Sequence, residues 1–419
     1  PHCLAMLKSA AILLVAALPI GAAGDGLPVR PPESVGMSAE RLATIDRVMT
    51  NGIAAGGFPG AAVVVGRRGA AVWQRGFGHL DWTLGGSAVD PVRTMYDVAS
   101  LTKVVATTMA IMILYDEGKL RLDDPVSRYI PAFTGGGREQ VTVAHLLTHR
   151  SGLPAGRDLW RVTRNARDAR RSVISTPLAV TPGQRSIYSD LGADVLGFVA
   201  EAVAREPLDT FLARRVYGPL GMRSTMFRPA ATQRGRIAPT EVAPPRGYPL
   251  RGEVHDENAY ALGGVAGHAG LFSTAADLGV FAQMIVNGGE YRGLRIVSDA
   301  TVRVFTTRTA GWRALGWDTC AGGGSCGQHM SERAVGHTGY TGTSLWIDVD
   351  REMFVVLLTN EVHATRAYDA VAVLSDVRAD LADVAALSVM DGASDPGAMP
   401  AVFRADRQIG WRRTVTAGM

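Results

Sequence analysis

The chain has 419 residues, 47% hydrophobic and 20% charged, with a formal net charge of +4. That balance excludes a disordered or fibrous protein and leaves room for two or three average domains, or one large one with an insertion. The basic residues are scattered without an aromatic-interleaved patch, so the composition lends nucleic-acid binding no support.

In chain order, Lys8, the apolar run Ala10 to Ile20 and Gly21-Ala22-Ala23 have the layout of a secretory signal over residues 1–23. The mature protein is therefore expected to be periplasmic or secreted. No later segment is expected to reach membrane-spanning length. Ser38 predicts the start of a helix over about 39–51, with Glu40 in its first turn. Ala61 to Gly66 and Ala70 to Gly76 predict a β-hairpin around Arg67-Arg68-Gly69. Val104 to Tyr115 predict an apolar helix ended by Gly118. About 120–290 reads as mostly helical. Ser344 to Val349 and Met353 to Thr359 form a second hairpin pattern, and a helical stretch runs from Thr365 to Ala386. Residues 387–419 lack periodicity and are expected to be loosely ordered. Strands at both ends with helices between them predict an α+β domain over 24–386. Its antiparallel sheet would be built from both chain ends, flanked by helices, with a helical insertion.

The chemistry begins with a choice of cation. The chain uses 40 arginines and three lysines, and one lysine completes Ser100-Leu101-Thr102-Lys103. Lysine loses its proton on desolvation far more readily than arginine, so a lysine one turn after a serine suits a proton acceptor. The helix start at Ser100 also offers free N–H groups to a developing oxyanion. Tyr188-Ser189-Asp190 follows the turn Thr181-Pro182-Gly183 and precedes an apolar helix. Its phenol suits proton transfer, while Ser189 or Asp190 also suits a helix cap. His337-Thr338-Gly339 lies directly before the terminal hairpin. Glycine there lets a substrate lie against a strand edge, and His337 suits a hydrogen bond or positive charge for an anionic group.

These three elements occur once each and in order. Together with Asp97-Val98-Ala99-Ser100, the run Leu146 to Leu153 and Gly270-Leu271-Phe272-Ser273-Thr274, they resemble the serine β-lactamase and penicillin-binding-protein superfamily. The resemblance is strongest to the class C β-lactamase-like branch, with its D-alanyl-D-alanine carboxypeptidases, family VIII esterases and muropeptide amidases. It implies a β-lactamase/transpeptidase-like fold, an acylated nucleophile at Ser100, a general base at Lys103 and a proton-relaying Tyr188. It further implies an oxyanion hole of the Ser100 and Tyr340 backbone N–H groups, with substrate contacts at Asp190, His337, Thr338 and Gly339. Asp190 and His337 stand where β-lactamases of this class carry asparagine and lysine, which weakens the case for β-lactam hydrolysis.

Other patterns compete with this reading. Gly323-Gly324-Ser325-Cys326-Gly327 fits Gly-x-Ser-x-Gly, but it sits in a glycine-rich loop without the strand and helix that motif requires. Cys320 and Cys326 suit a small disulfide in an oxidising compartment. His255-Asp256-Glu257-Asn258 and His268 have metal-ligating side chains without helical His-x-x-x-His spacing, so no metal and no cofactor is expected. The expected function is an exported serine hydrolase acting on a cell-wall peptide or a small ester. A family VIII-type carboxylesterase, a class C β-lactamase and a non-catalytic peptide-binding module are the alternatives. The oligomeric state is not legible.

Overall fold

The computed structural model describes residues 26–408 apart from 84, 310, 322, 369, 393 and 394. The expected signal segment 1–23 lies outside the described residues. The main sheet draws on both ends of the chain. Its amino-terminal strands are β1 (Gly60–Arg67) and β2 (Ala70–Gly78). A small sheet pairs β3 (Tyr96–Asp97) with β5 (Leu271–Ser273) and β5 with β4 (Met226–Phe227), and β6 (Glu290–Tyr291) pairs with β7 (Leu294–Arg295). The carboxy-terminal strands are β8 (Asp318–Thr319), β9 (Val335–Thr338), β10 (Ser344–Asp348) and β11 (Met353–Thr359). The main sheet runs β2-β1-β11-β10-β9-β8 and is antiparallel throughout. This is the α+β architecture the sequence predicts.

Side chains on β1 and β11 alternate between two cores, as the two-residue period of a strand requires. Ala62, Val64, Phe354, Val356 and Leu358 join the core that contains the helix Ala275–Val286 through Leu278 and Phe281. Ala61, Val63, Val65, Val355 and Leu357 face the other way, against Ile45, Val48, Val373 and Val377. Helices therefore cover both faces, which is why these strands read as continuous apolar runs.

Three expectations need correction. The helix expected over 39–51 breaks into Ala39–Leu42 and Ile45–Ala54, with Ser38 Oγ accepting from the Arg41 N–H at 3.2 Å. Ala99–Asp116 is in fact long and apolar enough to cross a membrane, but 83% of it is buried inside the protein as a core helix. Its apolarity serves packing. The segment after Ser388, expected to be loose, is anchored around Phe403–Ala405. Phe403 and Ala405 are buried, and Arg404 Nη1 pairs with Asp380 and Asp383 at 2.8 and 2.9 Å. A single aromatic anchor and one cation are too sparse to register as periodicity.

Candidate active site

Ser100 stands at the exit of β3, in a tight turn over Ala99–Leu101 that leads into the buried helix. Asp97 shapes that turn: its carboxylate accepts from the Ala99 N–H at 2.9 Å and the His255 N–H at 2.7 Å. Ala99 is held at φ +46°, a left-handed conformation that costs a non-glycine residue of order 1–3 kcal/mol. The surroundings therefore enforce the serine's presentation, and Ser100 remains half-exposed.

Lys103 is buried at 4% exposure beneath it. Its Nζ lies 2.8 Å from Ser100 Oγ, 2.8 Å from Asp190 Oδ1 and 3.2 Å from the His268 carbonyl oxygen. Burial alone would lower the ammonium pKa. Tyr188 and Asp190 act against that burial and raise it above the ordinary lysine value. The sequence reading considered desolvation alone; the fold adds Tyr188 and the Asp190 carboxylate as neighbours that no linear spacing displays. Lys103 is thus a cation in the resting site.

Tyr188 and Asp190 reach this point because a helix begins between them and the apolar core. Ser189 caps the helix Asp190–Ala204, accepting from the Gly192 N–H at 3.0 Å. His149 clamps the incoming loop, its Nδ1 accepting from the Ser189 N–H at 3.0 Å and its carbonyl from the Ile187 N–H at 2.8 Å. Burial, reinforced by Arg313 and Lys103, holds His149 neutral, as an acceptor at Nδ1 requires. The Tyr188 ring lies 4.6 Å from the His149 ring, with Lys103 Nζ 4.8 Å and the Arg313 guanidinium 5.5 Å from its centroid.

The strand motif arrives from β9 and is fastened to the nucleophile's own strand. Thr341 Oγ1 donates to the Asp97 carbonyl at 2.7 Å, and Thr343 Oγ1 to the Val98 carbonyl at 3.0 Å. A Cβ on Gly339 would fall 2.5 Å from the Val98 carbonyl oxygen and 2.1 Å from Thr343 Oγ1, so only glycine permits this approach. From below, buried Arg378 Nη2 donates to the Gly339 and Thr343 carbonyls at 2.9 and 2.8 Å.

Two cavities open from Ser100, sharing Tyr188 and Tyr340 as walls. The first, about 280 Å³, is also lined by Asp97, Asp190, His255, Asp256, His268 and Arg366. Its ionisable groups are largely satisfied by each other. His268 sits between Asp194 at 2.7 Å and Asp256 at 2.9 Å. Burial opposes its charge, but the carboxylates outweigh burial and raise its pKa well above the usual histidine value. His255 bonds Glu241 at 2.8 Å, and Arg366 pairs with Glu241 and, at 2.8 Å, with Glu257. Among the described residues, no three metal-ligating side chains are placed to hold an ion.

The second cavity, about 380 Å³, holds His337, Thr338 and Gly339 beside Arg313, Asp318 and Arg378. Here polar atoms are left over: Arg313 Nε, Arg378 Nε and His337 Nε2 are buried without a hydrogen-bond partner. Burial lowers the His337 pKa, with Lys103 and Arg313 acting in the same direction and Asp318 opposing. Its Nδ1 lies 2.7 Å from the Thr338 carbonyl and must donate to it, so Nε2 presents a lone pair. Positive charge in this cavity therefore comes from the two arginines, not from His337 as the sequence reading allowed.

The expected residues Ser100, Lys103, Tyr188, Asp190 and Tyr340 converge, and His337, Thr338 and Gly339 line the adjoining space. Ser325 lines neither cavity; its loop is closed by the Cys320–Cys326 disulfide, with Cα atoms 5.9 Å apart. The loop before β9 does shape the second cavity, through Arg313 and Asp318. His149, Arg313, Arg366 and Arg378 escaped the sequence reading. An arginine on the core-facing helix Val371–Leu387 was the one available signal for Arg378.

The Beta-lactamase family model matches residues 45–378. A provisionally named D-alanyl-D-alanine carboxypeptidase of Escherichia coli (strain K12) is 33% identical over 372 residues, 80% of this chain and 85% of that protein. The N-acetylmuramyl-L-alanine amidase of Bacillus subtilis (strain 168) is 34% identical over 370 residues, 79% of this chain and 83% of that one. Among solved structures, a class C β-lactamase superposes with a TM-score of 0.67 at 20% identity, over 85% of this chain and 98% of that one, which bears on the fold alone. With the match spanning most of the chain and a serine–lysine pair at its centre, the protein belongs to the β-lactamase family and is a serine hydrolase.

Proposed function

We propose that the protein is an exported D-alanyl-D-alanine carboxypeptidase-like enzyme, working through an acyl-enzyme on Ser100. The observation that carries this reading is the second cavity, where buried Arg313, paired with Asp318 at 2.6 Å, and buried Arg378 each keep an Nε–H without a hydrogen-bond partner beside Ser100. A guanidinium fork suits a carboxylate, and a leaving D-amino acid bears one next to the scissile amide. A short neutral ester has no group to satisfy those donors. The name of the Escherichia coli relative supports the same substrate class. Peptidoglycan, the polymer that carries such peptides, lies outside the cytoplasm, in keeping with a periplasmic or secreted protein.

In the proposed reaction, Ser100 Oγ attacks the peptide carbonyl while the Ser100 and Tyr340 N–H groups receive the oxyanion. The Ser100 proton passes to the Lys103–Tyr188 pair. The Tyr188 ring lies against both Lys103 and Arg313. The proton then moves to the departing amine, and water releases the acyl group by the same route in reverse. Asp190 keeps Lys103 charged and aligned.

Intact-protein mass spectrometry tests the nucleophile. Brief exposure to a penicillin should leave an adduct mapped to Ser100, and a D-Ala-D-Ala-terminated peptide should lose one alanine. Rapid turnover of an activated ester with no peptide cleavage would overturn the carboxypeptidase reading in favour of an esterase. An unmodified Ser100 with every probe would overturn the acyl-enzyme itself.

A further inference from the structure

The largest cavity among those described, about 660 Å³, lies on the far side of the first cavity's wall. The helix Glu257–Ala261 separates them: Glu257 lines the space beside Ser100, and Tyr260 lines the larger one. The chain crosses the same partition between Ala269 and Gly270. A Cβ on Gly270, at φ +112°, would fall 2.7 Å from the Gly264 carbonyl oxygen, so the partition is kept thin by backbone packing. Asn258 Oδ1 accepts from the Leu159 N–H at 2.9 Å and ties the partition to the segment bearing Trp160, on the cavity's other side.

The lining combines aromatic surface with excess positive charge. Trp160 and Tyr260 contribute rings, and Arg164, Arg228 and Arg234 face a single carboxylate, Glu253. Arg228 is neutralised by Asp209, and Glu253 lies 3.4 Å from buried Arg246, which stacks 4.6 Å from the Tyr260 centroid. The guanidinium groups of Arg164 and Arg234 form no ion pair or side-chain hydrogen bond among the described residues. None of these residues touches the Ser100 chemistry, and the volume is that of a small-molecule site.

We propose that this cavity binds a carboxylate-bearing saccharide. Sugar rings present apolar C–H faces that pack on aromatic side chains, and an attached carboxylate matches a free guanidinium bidentately. The site is distinct from the hydrolytic one, and it rests on the peptidoglycan reading only for the source of the ligand.

The test is isothermal titration of the full protein with N-acetylmuramic acid, N-acetylglucosamine and inorganic phosphate, in wild type and in an Arg164→Glu/Arg234→Glu variant. N-acetylmuramic acid should bind the wild type more tightly than N-acetylglucosamine and about 10-fold or more weakly in the variant. Turnover of an activated ester should stay within about two-fold, since the substituted residues lie away from Ser100. Absence of saturable N-acetylmuramic acid binding would overturn the proposal, as would binding indifferent to the charge reversal. Phosphate displacing the sugar at equal concentration would reduce the site to a general anion cavity and overturn it likewise. Binding is read directly, so a wild-type protein without ester turnover would count against the Ser100 reading alone.

Discussion

The two cavities that meet at Ser100 are both rich in charge, yet they spend it differently. In the first, His268 is gripped by Asp194 and Asp256, and Arg366 by Glu241 and Glu257. In the second, Arg313 pairs with Asp318 at 2.6 Å and Arg378 donates to the Gly339 and Thr343 carbonyls, yet each retains a buried Nε–H without an acceptor. A buried charge whose partners are complete builds structure, whereas one left incomplete costs folding energy that a ligand can recover. The contrast separates scaffold from recognition within one site.

The largest expected effect leaves both cavities intact and removes the group between them. Ser100→Ala should reduce peptide and ester turnover alike by about 10³-fold or more and abolish the penicillin adduct, read by kinetics and mass spectrometry. Next comes the scaffold side. His268→Ala leaves Asp194 buried and unpaired, so chemical denaturation should show a loss of about 3–5 kcal/mol. The same ion pair has a pH signature. Its stabilisation is complete below the unfolded histidine pKa of about 6.5 and is lost as pH rises through the elevated folded value. Thermal melts should therefore decline on the alkaline side in wild type and less so in His268→Ala.

On the recognition side, Arg313→Leu should raise KM for a D-Ala-D-Ala peptide about 10-fold while leaving ester KM unchanged. An equal rise for both substrates would break the contrast, because it would make Arg313 structural. The subtlest effect is Asp190→Asn. Removing that carboxylate lowers the Lys103 pKa, so the alkaline limb of the acylation profile should move to lower pH. A shift of the acid limb instead would show that uncharged Lys103 is the base.

Much of this site was legible because some motifs are local. Ser100 and Lys103 are one turn apart, and Tyr188-Ser189-Asp190 and His337-Thr338-Gly339 carry recognisable turn and strand contexts. Arg313, Arg378 and His149 were not, since a single arginine or histidine looks alike whether it is solvated or aimed at a catalytic tyrosine. The charged neighbours of Lys103 were hidden for the same reason. Its neighbours Tyr188 and Asp190 are more than eighty residues away in the chain.

By itself, the sequence determined the β1–β2 and β10–β11 hairpins, the buried helix after Ser100 and the adjacency of Ser100 and Lys103, all products of short-range spacing and hydrophobic period. Only the tertiary structure decided which charges are paired, which N–H groups are left open and where the chain after Ser388 anchors. Electrostatic environment depends on distance in space and on exclusion of water, and neither quantity is written in the order of residues.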